Sequence, residues 1–496
     1  MTTKTSSNFS IALQPQKILP DCVIITEPDS LAVADSTSPW LPPGRPPTCI
    51  VRPADPDELQ AVIQIANEAG LNLTVTSSTG AHRHGGIANP KENVLIDLSH
   101  WRKIDLIDRR NRVCRIEPGV TYGQLISALA EHGMTLPVPI APRSGKSVLA
   151  SVMDREPTTW PNKQWDSSDP VGSTEFFFGN GERFRSGAAG GPGSIEQQRL
   201  SGGAQKFSSG PSQTDFHRIV QGAQGTLGIL TWITLRTELK PTIQKTFFLK
   251  SERLEDLLPF VYAVQRRMLG EQTFILDRTA AAMLMANGDT AEFDSFCSAC
   301  PAYICLQNIA SFERLPQERL EFHLQDIDVF ARESDLRLEE QVGPISAADL
   351  FTRATQPCGE IDWRDRLRGS SLSLFFLSTL DRMPAFRKIF VDTALGFGFS
   401  QADIGTYLQP IVQNHACQVE FMLPFDPGAA AEIDRMRQFE RQAVIRLIEA
   451  GAFFSRPYGS AADLVWAQNP ANYQLLKTVK GIFDPRRVLQ QGKWGL

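Results

Sequence analysis

Between Leu73 and Gly86 the chain reads LTVTSSTGAHRHGG, a strand-like run that ends in small and glycine residues. Ser77, Ser78, Thr79, Gly80, Gly85 and Gly86 let consecutive backbone N–H groups converge on one acceptor, the arrangement that cradles a phosphate. A polar loop between two strands would use the same residue types. A second group with chemical capacity lies late in the chain: Arg456 and Tyr458 in FFSRPYG, with Tyr407, Gln409, His415 and Glu420 before them. A guanidinium beside aromatic rings suits a carboxylate or phenolate anchor. The alternative is a structural pair with Asp463 or another acid. His415, standing alone, reads as a hydrogen-bonded polar residue before it reads as a ligand.

These residues need scaffolding, and the sequence shows what kind. Ile50–Arg52 reads as a strand, and Pro56–Ala69 places Leu59, Val62, Ile63 and Ile65–Ala66 at helical spacing behind Asp55 or Asp57 as cap. Val94–Leu98 is a second apolar strand. Four further segments follow in fixed order: Glu117–Tyr122 (EPGVTY) opening a helix over 123–132, Ser144–Ser151 (SGKSVLAS), Gln221–Thr231 (QGAQGTLGILT) and Phe483–Lys493 (FDPRRVLQQGK). A Rossmann G-x-G-x-x-G fingerprint after a strand is absent from the expected places. From Thr242 the texture becomes a β/α mixture, with strands expected near 247–250, 274–276, 303–306, 372–377 and 421–424, and helices over 254–270 and 443–450.

In this order the segments resemble the FAD flavoproteins of the vanillyl-alcohol oxidase / p-cresol methylhydroxylase superfamily, which includes glycolate oxidase and D-lactate dehydrogenase-like members. The resemblance runs from Thr48 to Gly495. It implies an α+β fold: a two-part FAD-binding domain of the PCMH type, an α+β (ferredoxin-like) cap over the flavin, and a C-terminal segment returning to the first domain. The expected divisions are an irregular Pro- and Ser-rich arm over 1–45, the FAD domain over 46–240, the cap over 241–439 and the return over 440–496.

The resemblance also assigns cofactor contacts. The turn Thr76, Ser77, Ser78, Thr79, Gly80, Ala81, His82, Arg83 and Gly85 would hold the pyrophosphate. Pro118, Gly119 and Val120 would lie on the adenine side, and Ser144, Gly145, Ser147, Val148 and Ser151 along pyrophosphate and ribityl chain. Gly222, Gly225, Thr226, Gly228 and Ile229 would follow the adenosine and ribityl region, with Gly225 and Gly228 small so that the cofactor can approach, and Lys493 would close the site. In one branch a histidine in a GGHSYGG-like turn bonds covalently to the flavin, and His82 takes that place; a non-covalent flavin is the alternative. The cap-domain histidine of the vanillyl-alcohol branch would fall near Gly405, which cannot bond. His84 replaces the tyrosine of the phenol-oxidising branch, and Ala141–Pro142–Arg143 stands where that branch has an aspartate.

Composition bounds the rest. The 496 residues imply two or three domains, and 42% hydrophobic content supplies their cores. A net charge of −5 with no basic run excludes a nucleic-acid partner. The first residues, MTTKTSSNFSIALQPQ, carry no apolar h-region and no run reaches the roughly 18 apolar residues of a bilayer span, so a cytoplasmic protein is expected. Eight cysteines show one cluster, Cys297-x-x-Cys300 with Cys305, and no fourth ligand nearby, so reduced thiols and no metal are expected. The Gly/Ser-rich stretch 186–212 reads as a long surface loop or an interface segment.

The expected activity is FAD-dependent dehydrogenation of a small 2-hydroxy acid by hydride transfer to flavin N5, with Arg456, Tyr458, Tyr407 and His84 as catalytic candidates. A phenolic or benzylic alcohol is the alternative substrate, and a non-catalytic flavoprotein scaffold or flavin-free assembly subunit the alternative class. An electron-acceptor protein and a homo-oligomer are the partners to expect.

Overall fold

The computed structural model describes residues 21–34, 38–41, 45–80, 83, 92–162, 170–200, 208–211 and 216–495. In the first lobe Val23–Ile25 (β1), Cys49–Arg52 (β2), Leu73–Thr76 (β3) and Val94–Asp97 (β4) form a sheet in the order β1-β2-β4-β3. Strands β2, β4 and β3 run parallel, so the chain must cross over between β2 and β3, and the Pro56–Ala69 helix makes that crossover. Asp55 caps it, accepting from the amides of Asp57 and Glu58 at 2.9 Å each. Gly70, at φ 66°, ends it. The helix buries Leu59, Val62, Ile63 and Ala66 against Leu73, Val94 and Ile96. Pairing of Thr76 with Asp97 ends β3, so the Ser77–Gly80 turn leaves from the carboxyl edge of the parallel sheet. Open α/β sheets bind ligands at that edge.

A second sheet comprises Ile104–Asp108 (β5), Val113–Ile116 (β6), Val171–Phe178 (β7), Arg183–Arg185 (β8) and Gly228–Arg236 (β9). Its antiparallel order is β5-β6-β9-β7-β8. Every residue of β7 is buried, as a strand covered on both faces requires. The stretch expected as a long loop after 186 carries a 3₁₀ turn at Gly187–Gly190 and a helix at Ile195–Leu200, with Ala189 and Gln198 buried; 201–207 lie outside the described residues.

The second lobe is a six-stranded antiparallel sheet: Ile243–Ser251 (β10), Thr273–Asp277 (β11), Tyr303–Ser311 (β12), Ser370–Ser378 (β13), Gly405–Ile411 (β14) and Ala416–Phe425 (β15). The order is β10-β12-β11-β14-β15-β13. Side chains alternate across it. Leu372, Leu374, Phe376, Leu408, Val419, Phe421 and Leu423 pack on one face under the Met383–Gly396 and Ala430–Glu449 helices. Ser371, Ser373 and Phe375, with Gln418, Glu420 and Tyr407, take the opposite parity. The register sets Glu420 opposite both Phe375 and Tyr407.

Three elements differ from the sequence expectation. The helix expected at 443 begins at Ala430; its polar first turns carry Met436 and Phe439 into the cap core with Ala443, Val444 and Leu447. The helix expected over 254–270 stops at Arg266. The arm before residue 45 supplies β1 and a helix over Pro28–Ala34, and Trp40 and Leu41 reach the cap core.

The chain then returns to the first lobe. Leu476, Val479 and Phe483 pack with the second sheet's core, and Val488 and Leu489 with the first sheet's. Leu73 donates to the Val488 carbonyl at 2.7 Å and Gln490 to the Leu73 carbonyl at 2.8 Å, so the terminal segment borders β3. Asp484 of FDPRRVLQQGK is fully buried, accepting from Lys480 Nζ at 2.5 Å and from the amides of Val488 and Leu489 at 2.8 and 2.9 Å. No helix among the described residues is long and apolar enough to cross a membrane.

Candidate functional site

A deep cavity lies between the lobes, floored by β3 and the turn after it and roofed by β13, β14 and β15. The turn is held from beneath. The Thr79 amide donates to the Gly145 carbonyl at 3.0 Å, and the Ser147 amide to Ser78 Oγ at 3.0 Å. Ser77 and Ser78 line the cavity, and their amides make no hydrogen bond to the described residues. The glycines here are fixed chiefly by protein packing. A β-carbon on Gly80 (φ +74°) would stand 2.7 Å from Arg143 Nη1, one on Gly145 3.1 Å from the same atom, and one on Gly228 3.0 Å from Val220. Gly225 (φ +77°) borders another cavity group, Gln490, at 3.3 Å.

The FFSRPYG segment is presented by donors from the first lobe. Arg155 donates to the Ser455 carbonyl at 3.2 Å and Gln224 to that of Pro457 at 3.0 Å. The buried Arg456 guanidinium lies 4.4 Å over the Phe375 ring, donates to Gln418 Oε1 at 2.9 Å and faces Asp154 at 3.6 Å, too far for a hydrogen bond. Its acid partner is therefore Asp154, not Asp463. Tyr458 donates its hydroxyl to the same Asp154 carboxylate.

Asp154 follows directly on the Val148–Met153 helix and keeps 26% of its side chain accessible. Burial raises its pKa above the usual carboxylate range, with Arg456 and the Tyr458 hydrogen bond opposing in part. Its neighbour Glu156 goes the other way. Burial would raise it, but the Lys146 ammonium, then Arg456, hold it below the usual range. Ser151, itself accepting from Tyr122, also donates to Glu156. Two acids two residues apart are thus pushed in opposite directions, the pattern that separates a proton acceptor from a fixed charge. Burial pushes Lys493 down to about 8, against the pull of Asp154.

On the cap side the charges are paired. Arg364 grips Glu420 with Nε and Nη2 at 2.8 Å each and Asp362 at 3.2 Å. Arg83 crosses from the turn to Asp365 and to Ser373 Oγ at 2.6 Å. Tyr407 is buried and gives its hydroxyl to Gln409 at 2.7 Å, which leaves its ring as cavity wall. His415 is exposed in the β14–β15 turn, away from the cavity.

The cavity therefore gathers Thr76, Ser77, Ser78, Arg83, Pro118, Gly225, Gly228, Ile229, Tyr407, Arg456, Tyr458 and Lys493 of the expected residues. Thr79, Gly80, Gly119, Val120, Ser144, Gly145, Ser147, Val148, Ser151, Gly222 and Thr226 lie behind its wall, and several are engaged there. Ser147 donates to the Pro118 carbonyl at 2.6 Å, Gly119 to Trp101 at 2.7 Å and Gly222 to Met153 at 2.7 Å. Ala81, His82, His84 and Gly85 lie outside the described residues. Asp154, Glu156, Lys146, Arg143, Arg364 and Gln490 line the cavity without having been singled out. Arg143, Lys146 and Gln490 sit in or beside a motif that could have flagged them.

The lining fits a dinucleotide. Six cationic side chains (Arg83, Arg143, Lys146, Arg364, Arg456, Lys493) face four acids (Asp154, Glu156, Asp362, Glu420), an excess of two that matches a diphosphate. Gln490 Oε1, buried, has no hydrogen-bond partner there. Among the described residues no group of His, Cys, Asp or Glu could hold a metal ion, and all eight cysteines are free.

A family model described as an FAD binding domain matches residues 47–186. The chain is 24% identical over 492 residues to D-2-hydroxyglutarate dehydrogenase of Stutzerimonas stutzeri (strain A1501), covering 95% of each chain. It is 22% identical over 454 residues to glycolate oxidase subunit GlcD of Bacillus subtilis (strain 168), covering 90% of this chain and 88% of that one. The crystal structure of p-cresol methylhydroxylase with substrate bound superposes with a TM-score of 0.82 over 99% of this chain and 98% of the other, at 18% identity. At that identity the likeness is one of fold.

Proposed function

From the premise that the chain belongs to the PCMH-type FAD flavoproteins and is an FAD-dependent oxidoreductase, we propose that its substrate is a small 2-hydroxy acid. The observation that carries this is the Arg456–Asp154–Tyr458 cluster. Arg456 has one hydrogen bond and one long ion pair, so its remaining N–H groups are available to a carboxylate. Asp154 beside it has the raised pKa of a proton acceptor. An anion anchor next to a base matches a molecule that carries a carboxylate one carbon from a hydroxyl. The relatives named as D-2-hydroxyglutarate dehydrogenase and glycolate oxidase subunit support the same substrate class.

FAD, held by the phosphate turn and the 118–120, 144–151 and 222–229 segments, supplies a hydride acceptor at N5. Arg456 binds and orients the carboxylate. Asp154 takes the hydroxyl proton while hydride leaves the same carbon, so that a 2-oxo acid remains. Tyr458 holds Asp154 in place, Tyr407 and Phe375 wall off water, and Lys493 with the turn amides balances ligand charge. His84 stays a candidate within the turn. His82 is the proposed attachment point should the flavin be covalent, tested by whether acid-precipitated protein stays yellow and its His82→Ala variant does not.

A second reading is favoured by the aromatic wall of Phe375, Tyr407 and Tyr458: a phenolic or benzylic alcohol, its phenolate on Arg456. Incubation with a dye acceptor and analysis for 2-oxo acids tests the first reading. Aldehyde or ketone from 4-alkylphenols, with no 2-oxo acid, would favour the second, and no product from either class a non-catalytic role.

A further inference from the structure

One buried cation beside the phosphate turn, Arg143, has no strong partner among the described residues. Arg143 is 7% exposed at its side chain and lines the cavity. Among the described residues its Nη1 has no hydrogen-bond partner, and its paired acid, Glu360, is 3.6 Å away and 73% exposed. That is an ion pair of surface strength set against the cost of burying a guanidinium. Other buried cations of the cavity are better served. Arg364 grips two acids, and Arg83 holds Asp365 and Ser373.

The place of Arg143 is built rather than accidental. Its backbone is clamped between the lobes: Cys358 donates to the Pro142 carbonyl at 2.8 Å and Ser144 to the Cys358 carbonyl at 2.9 Å. A β-carbon on Gly80 would collide with Nη1 at 2.7 Å; one on Gly145 would stand 3.1 Å from it, and would collide first with Thr79 Oγ1 at 2.4 Å. The two glycines belong to the two segments joined by the Thr79–Gly145 hydrogen bond, the first of which opens the Ser77–Ser78 amides to the cavity. Arg143 shares no partner with the Arg456–Asp154–Tyr458 cluster. Its residual charge is therefore directed at a ligand seated on the turn, not at one seated on the acid cluster.

We propose that Arg143 binds the pyrophosphate of FAD directly, adding a guanidinium to the backbone amides of the turn. This rests on the FAD reading and names a residue within it. Guanidinium–phosphate pairs are charge-assisted and favour two parallel bonds. The lowered Arg143 pKa, caused by burial that Glu360 only partly offsets, is relieved when a dianion docks.

Cofactor-depleted protein titrated with FAD and with riboflavin, which lacks the phosphates, tests the proposal by quenching of flavin fluorescence. Arg143→Gln is expected to weaken FAD by about 10- to 100-fold, the effect of losing one charged hydrogen-bonded contact, and to leave riboflavin unchanged. Arg143→Lys should recover part of the loss, and wild-type FAD affinity should fall with added salt more steeply than riboflavin affinity. Equal FAD affinity in wild type and Arg143→Gln overturns the proposal and leaves the cofactor reading standing; a wild type that binds no FAD overturns both. Equal loss for FAD and riboflavin makes Arg143 a packing residue. Unchanged FAD affinity with a raised KM for an acid substrate makes it a substrate anchor, which also overturns the proposal. Should Arg143→Gln fail to fold, the Lys variant and the salt dependence decide alone.

Discussion

Tyr458 donates its hydroxyl to Asp154 across 304 positions of sequence. Tyr458 arrives on the segment leaving the cap and Asp154 on the first lobe, so the bond exists only when both lobes are seated. Arg456 faces the same carboxylate. The proposed base is thus assembled by the fold and not by any local motif.

Asp154→Asn should retain FAD and slow flavin reduction by about 10²- to 10⁴-fold, the usual contribution of a positioned base. Anaerobic rapid mixing measures it. A variant that reduces at the wild-type rate removes Asp154 from the chemistry.

The pH dependence has a definite sign. Asp154 accepts a proton only when ionised, and burial raises its pKa, so kcat/KM should fall on acidification from a pH above the ordinary carboxylate range. Lys493, pushed down to about 8, loses its charge as pH rises, so an alkaline limb is expected at or above about 8 and should vanish in Lys493→Met. For the cofactor-free fold the depressed Lys493 pKa works in the opposite direction. Between about 8 and the ordinary lysine value of 10.5 the unfolded chain holds more protons, so this group adds stability as pH rises through that window. Wild type and Lys493→Met should therefore differ most in melting temperature at neutral pH and converge above it.

Arg456→Lys keeps a charge but loses the fork, and should raise KM with FAD occupancy unchanged. Arg456→Met should cost more, about 1.5–3 kcal/mol in kcat/KM for a charged hydrogen bond. Loss of flavin in either variant would show that Arg456 supports the cofactor.

Gly80→Val places a β-branched side chain at φ +74° against Arg143 and should sharply lower FAD occupancy. Gly481→Ala, whose β-carbon meets nothing within 4 Å in a helix, should keep occupancy and gain about 0.5–1 kcal/mol. Equal occupancy in both would detach the turn from the cofactor.

What the sequence made legible follows from range. The Pro56–Ala69 helix was readable to the residue because its cap, first-turn proline and apolar spacing are all local. The cap helix from Ala430 was half missed, since its early turns are charged outside Met436 and Phe439 and the apolar density rises only from Ala443. The phosphate turn was visible as small residues, yet the group a β-carbon on Gly80 would strike is Arg143, more than sixty positions away, and the one on Gly145 would strike Thr79, as far in the other direction. Asp154 gave no signal at all: it is an ordinary residue after a short helix until Arg456 and Tyr458 meet it.

The roles proposed for Arg456, Asp154 and Tyr458 all depend on the substrate class. Anaerobic stopped-flow mixing of FAD-loaded protein with a panel of D- and L-2-hydroxy acids and 4-alkylphenols, followed at the flavin absorption band, tests it most directly. Rapid bleaching by one or more 2-hydroxy acids, saturable and lost in Arg456→Met, is the predicted result. Bleaching by phenols alone, or none by either class in protein fully loaded with flavin, would contradict it.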